Sequence, residues 1–136
     1  MIAVDTSALM AIILDESQAD ACIAALEAAD EILISAGTVA ESLIVAARRG
    51  VGDEMKSLIN DLGLNVIPLT QASAERIAQV YSRWGKGVHP AGLNLGDCFA
   101  YDAARQHGCA LLFVGDDFGQ TDIAPAVRNG AAPPGA

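Results

Sequence analysis

Aromatic residues are scarce in this chain: Phe99, Phe113, Phe118, Tyr81, Tyr101 and Trp84 are all it has among 136 residues. Apolar residues nevertheless make up 52%, so the core must be aliphatic, and a disordered chain is excluded by the low charged fraction of 18%. Cysteine is sparse and odd in number. Cys22, Cys98 and Cys109 form no C-x-x-C pair, which argues against a disulfide scaffold or a zinc cluster and fits a reduced, cytoplasmic setting. Bases are few, 8 Lys and Arg against 17 Asp and Glu, for a net charge of −9. That balance excludes a chain-wide basic surface for nucleic acid, and with it DNA binding by this chain on its own. Long apolar runs are missing as well. The longest, Ala8 to Leu14, is far short of the ~20 residues that cross a membrane. The opening segment has no basic start and is interrupted by Asp5, so it reads as part of the domain and not as a secretory leader.

What is present alternates. Ile2 to Val4, Ile32 to Ile34, Leu64 to Pro68 and Ala110 to Val114 read as short buried strands. Between them, helices are expected over Ala8–Leu14, Ala19–Ala29, Thr38–Arg49, Asp53–Leu62, Ala72–Trp84 and from Asn94–Asp97 to His107, several opened by Ser or Thr and closed by Gly. Gly85 to Gly92, with three glycines and a proline, is a loop. This order predicts a three-layer α/β/α domain over residues 1–128, with a central parallel sheet of four to five strands and a Gly/Ala/Pro tail at 129–136. Ligands of such sheets sit at the carboxyl ends of the strands.

Acids stand at that edge. Asp5 follows the first strand, Asp116 and Asp117 follow the fourth after one glycine, Asp97 opens the helix leading into the fourth strand, and Glu41 lies one turn inside the helix after the second. Each also has a plain reading: Asp5 and Asp97 as helix caps, Asp116-Asp117 as a turn, Glu41 on a solvated face. Together they carry more weight. Packed within about 4–6 Å, carboxylates raise one another's pKa, and no Lys or Arg stands near them in sequence. A divalent cation is the simplest compensation. Oxygen donors without His or Cys favour Mg²⁺, with Mn²⁺ as substitute, and phosphodiester hydrolysis is the implied chemistry.

The stretches Val4-Asp5-Thr6-Ser7-Ala8-Leu9, Glu41, Gly87 to Tyr101 (GVHPAGLNLGDCFAY) and Leu111 to Asp122 (LLFVGDDFGQTD) resemble the PIN-domain ribonucleases of the VapC toxin type, up to about Val127. The resemblance implies an Mg²⁺-dependent endoribonuclease toxin held off by a cognate antitoxin. It implies Asp5, Glu41, Asp97 and Asp117 as metal-site acids, with Asp116 the alternative to Asp117, and Thr6 and Ser7 as hydroxyls that orient them. Asp102 departs from the family pattern, which commonly has a small apolar residue there, and is expected in solvent.

Possible RNA contacts are Arg83, Lys86 and His89 around the glycine loop, with Trp84 either stacking on a base or packing in the core, and Arg48-Arg49 either touching RNA or charging a helix end. The helices carrying Ala8–Leu14, Ala19–Ala29 and Val39–Ala47, rich in Ala, Ile and Leu almost all round, predict a homodimer and a groove among them for an antitoxin segment, whose basic side chain would enter the acidic site. Other classes fit less well. A haloacid-dehalogenase phosphotransferase wants a second acid where Ser7 stands, and a receiver domain wants a lysine after its last strand, where none occurs beyond Lys86. The remaining rival is a PIN-like module that binds a protein and cuts nothing.

Overall fold

The apolar triplets all become strands, and all run parallel. In the computed structural model, which describes residues 1–127, β1 (Ile2–Val4), β2 (Ile32–Ser35), β3 (Asn65–Ile67) and β4 (Ala110–Leu112) lie in the order β3-β2-β1-β4. Six helices surround them: α1 (Thr6–Ile13), α2 (Ala19–Ala28), α3 (Ala36–Arg48), α4 (Gly52–Asp61), α5 (Gln71–Trp84) and α6 (Leu95–Gln106). The domain boundary expected at residue 128 and the tail at 129–136 fall outside the described residues.

Side chains alternate across so short a sheet, and both faces are apolar. Val4, Ile32, Ile34 and Leu112 pack with Leu9, Cys22, Leu26 and Met55 on the α1–α4 side. Ala3, Leu33 and Leu111 pack with Ile77, Trp84, Tyr101 and Ala104 on the α5–α6 side. These two cores make the expected three layers. Leu9, Leu33, Ile34, Leu111 and Leu112 are fully buried, each contributing about 1.5–3 kcal/mol of hydrophobic stabilisation.

The elements differ from expectation at their ends, for local reasons. β4 stops at Leu112, not Val114, because the Val114 N–H turns out of the ladder to donate to Ser7 Oγ at 2.9 Å. α1 and α3 begin two residues early because Asp5 and Ser35 cap them, accepting from Ser7 N–H (3.0 Å) and Gly37 N–H (3.2 Å). The possible fifth strand is reduced to one parallel bridge, Leu111 with Pro125, flanked by hydrogen bonds to Ala124 and Ala126.

The strand order positions the site. From β1 the chain moves outward through β2 to β3, then returns by α5 and α6 to lay β4 on the other side of β1. The direction therefore reverses between β1 and β4, and the crevice at their carboxyl ends is where open parallel sheets place ligands.

Candidate active site

Asp5 occupies that crevice. It leaves β1 with its N–H bonded to Leu112 O at 3.0 Å, and its side chain caps α1. Oδ2 does all the capping, accepting from Ser7 N–H at 3.0 Å and Ser7 O–H at 2.7 Å. Oδ1 is buried and accepts no hydrogen bond. Ser7 Oγ in turn accepts from Val114 N–H, so one hydroxyl ties Asp5 to the segment that carries Asp116 and Asp117. Asp97 arrives from α6 as the third residue of a capping box: its N–H donates to Asn94 Oδ1 (2.8 Å), and its Oδ2 accepts from Asn94 N–H (3.0 Å). The cap reading holds for both residues, and each cap engages one carboxylate oxygen and leaves the other.

A pocket beside these groups is lined by Asp5, Ser7, Asp97, Asp116, Asp117 and Phe118. Glu41 borders it from α3. Thr6 O–H donates to Glu41 Oε1 at 2.6 Å and meets Ser42 Oγ at 3.0 Å, so Thr6 orients Glu41 while Ser7 orients Asp5.

The electrostatics are those of crowded acids. Burial pushes the Asp5 carboxyl up to about 7, against the two Ser7 hydrogen bonds, and the charges of Asp97 and Glu41 add to the rise. Burial likewise lifts Asp97 to about 6, opposed by the Asn94 N–H and assisted by the charges of Glu41 and Asp117. Among the described residues, no Lys, Arg or His pairs with Asp5, Glu41, Asp97 or Asp117; the ion pairs lie elsewhere. The α1 and α6 N-termini supply only partial positive charge.

A divalent ion fits this chemistry, since it would satisfy the orphaned Asp5 Oδ1 and favour the charged carboxylates. Among the described residues no three His, Cys, Asp or Glu side chains converge tightly enough to enclose an ion as they stand. Mg²⁺ asks for less: it is commonly bound through one or two carboxylates with water completing its shell. Asp5 and Asp97 could provide these, and the charges of Glu41 and Asp117 reach the same place.

The expected RNA contacts are not in this pocket. Arg83 lies over the Trp84 ring, 4.7 Å from its centroid, and approaches Asp122 at 4.0 Å. His89 Nδ1 accepts from Ala91 N–H at 2.9 Å, and its ring meets Trp84 edge-on. Lys86 is exposed beside an apolar groove containing Leu69, Tyr81 and Leu95. Trp84 is buried in the α5–α6 core, which closes the base-stacking alternative. Arg48 and Arg49 end α3, about 10 Å along its axis from Glu41. The expectation for Asp102 is corrected: it is buried and takes a two-pronged bond from Arg76, Nε to Oδ1 at 2.9 Å and Nη2 to Oδ2 at 3.2 Å. Sequence reasoning missed Ser42, whose signal was a hydroxyl directly after Glu41 within an aliphatic stretch of α3. It also missed Asp122, which accepts from the Tyr101 hydroxyl and pairs with Arg105 at 3.4 Å.

The PIN domain family model matches residues 2–124. Ribonuclease VapC30 of Mycobacterium tuberculosis is 40% identical over 124 residues, covering 89% of this chain and 95% of that protein. The crystal structure of Mycobacterium tuberculosis VapC20, titled a sarcin-ricin loop cleaving toxin, superposes with a TM-score of 0.75 at 14% identity, over 91% of this chain and 97% of that one. VapBC2 of Rickettsia felis, solved bound to a DNA fragment from its promoter, superposes at 0.67 with 16% identity, over 95% and 98%. The chain belongs to the PIN-domain family, and within it groups with the VapC ribonucleases.

Proposed function

We propose that this protein is a metal-dependent endoribonuclease toxin that hydrolyses RNA phosphodiester bonds at the Asp5–Asp97 pocket. The observation that carries the reading is Asp5 Oδ1: a buried carboxylate oxygen without a hydrogen bond, facing further acids and no cation. The 40% identity to proteins named ribonucleases supports the RNA substrate. Mg²⁺, or Mn²⁺ in its place, would be held by Asp5 and Asp97, with Glu41 and Asp117 in direct or water-mediated contact. Bound there, it lowers the pKa of water and stabilises charge on phosphate and leaving oxygen. The chain's own part is orientation. Ser7 fixes Asp5 and the Val114 segment together, Thr6 fixes Glu41, and the Asn94 box fixes Asp97.

A cognate antitoxin is the proposed regulator, supported by fold neighbours solved as toxin–antitoxin complexes. An arginine inserted beside Asp5, Glu41 and Asp97 would give these acids the cation that this chain does not provide. Cytoplasmic location and a homodimer belong to the same reading; of the aliphatic helices expected to carry the interface, α2 exposes Ile23 and α3 exposes Ile44. Among the described residues no helix is long and apolar enough to cross a membrane.

The test is cleavage of total RNA by the purified protein with Mg²⁺, repeated with EDTA, and mapping of new 5′ ends after induction in cells. New ends that require metal and vanish when the antitoxin is added support the proposal. Normal growth with no new RNA ends overturns it in favour of a protein-binding module.

A further inference from the structure

Helices α3 and α6 meet through two glycines, each facing a side chain from the other helix. A Cβ on Gly37 would stand 2.5 Å from Phe99 Cγ, and one on Gly96 would overlap Glu41 Oε2 and Cδ and stand 2.8 Å from Oε1. Gly37 and Glu41 are four residues apart on α3; Gly96 and Phe99 are three apart on α6. These spacings put each pair on one face of its helix. The contact is therefore reciprocal: α6 sends an aromatic ring onto bare α3 backbone, and α3 sends a carboxylate onto bare α6 backbone. Neither glycine has a positive φ, so conformational freedom does not explain it. Glycine inside a helix is less stable than alanine, and space for the partner side chain is what it provides.

The two slots differ in kind. At Gly37 the neighbour is a ring met at its root, Cγ and both Cδ atoms, so the whole side chain or the helix must shift to admit a Cβ. At Gly96 the neighbour is the carboxylate end of a flexible side chain, tied at Oε1 to Thr6, which can swing away with the helices left in place. We propose that Gly96 is a positioning residue of the acidic site: its missing side chain seats the Glu41 carboxylate beside Asp97. Thr6 O–H holds Oε1 and the bare Gly96 backbone admits Oε2. Glu41 acts on both Asp5 and Asp97 from this position.

The inference rests on the proposed function, since it assigns Glu41 to the metal and RNA chemistry of that pocket. The test compares wild type, G96A, E41A and the double variant for Mn²⁺ binding by calorimetry without RNA, for RNA cleavage, and for melting temperature. G96A should fold with an unchanged melting temperature yet weaken Mn²⁺ binding on the order of 10- to 100-fold, as loss of a supporting group at a metal site does. In the E41A background, G96A should cost less than about twofold more, because no carboxylate remains to displace. E41D, one C–C bond of about 1.5 Å shorter, should restore part of the loss in G96A. Wild-type binding and cleavage in G96A, or an equal loss in the E41A background, overturns the slot. A wild type that neither binds Mn²⁺ nor cuts RNA refutes the function instead. A crystal structure of G96A then decides the slot alone: a displaced Glu41 carboxylate supports it, and an unmoved one overturns it.

Discussion

Asp97 and Asp102 stand five residues apart on α6, and the fold gives them opposite surroundings. Asp102 is buried against Arg76, which supplies two parallel hydrogen bonds and a full positive charge. Asp97 faces Asp5, Glu41 and Asp117, and its carboxyl is pushed up to about 6. The same contrast extends across the molecule. On the α5–α6 flank, Asp122 takes the Tyr101 hydroxyl with Arg83 and Arg105 nearby, so its charge is matched within the chain. At the carboxyl edge of the sheet the acids meet one another. Charge matched within the chain stabilises; charge left unmatched in a crevice is available to a ligand of the opposite sign.

Substitutions break or sharpen this contrast. The largest effect is expected at the crevice: D5N and D97N should each lower RNA cleavage by more than ~100-fold, measured in single turnover, while circular dichroism shows an intact fold. Asn at position 5 keeps an oxygen for the Ser7 cap. Next comes pH. The folded chain holds protons on Asp5 and Asp97 that the unfolded chain releases near pH 4, so stability should fall as pH rises from about 4 to about 7 in metal-free buffer. Asp5 contributes on the order of 3 kcal/mol of this loss. D5N should therefore melt higher than wild type at pH 8, with the gap closing near pH 4. G37A should destabilise by about 1–3 kcal/mol through overpacking against Phe99, in contrast to G96A. Smallest is D102N, which should lower the melting temperature by roughly 2–4 °C and leave cleavage within twofold. Equal losses of cleavage in D97N and D102N would erase the distinction between the two acids.

Much of this was legible in the sequence, because it was local. An apolar triplet followed by Asp5-Thr6-Ser7 specifies strand, cap and helix in six residues, and strand–helix alternation specifies the layers. Asp5 and Asp97 are visible as helix-start acids; that each caps with a single oxygen is visible only in the geometry. What was not legible was long-range. Asp102 was expected in solvent because its partner Arg76 lies 26 residues away on another helix. Arg83, Lys86 and His89 share only their closeness to the glycine loop in sequence. That loop folds on itself, Lys86 N–H to Leu93 O and Leu93 N–H to Trp84 O, and leaves Arg83 and His89 against Trp84. β4 ended early because Ser7, 107 residues away, takes the Val114 N–H. Periodicity marks which faces are apolar; it does not say which distant side chain completes a hydrogen bond.

The central claim is that the crevice acids form a cation site because the chain supplies them no cation. Calorimetric titration of metal-free wild type and D5N with Mn²⁺ at pH 8 tests it most directly, since Asp5 is then ionised in the wild type. The account predicts saturable binding to the wild type, abolished in D5N and unaltered in D102N. Equal Mn²⁺ affinity in wild type and D5N would contradict it.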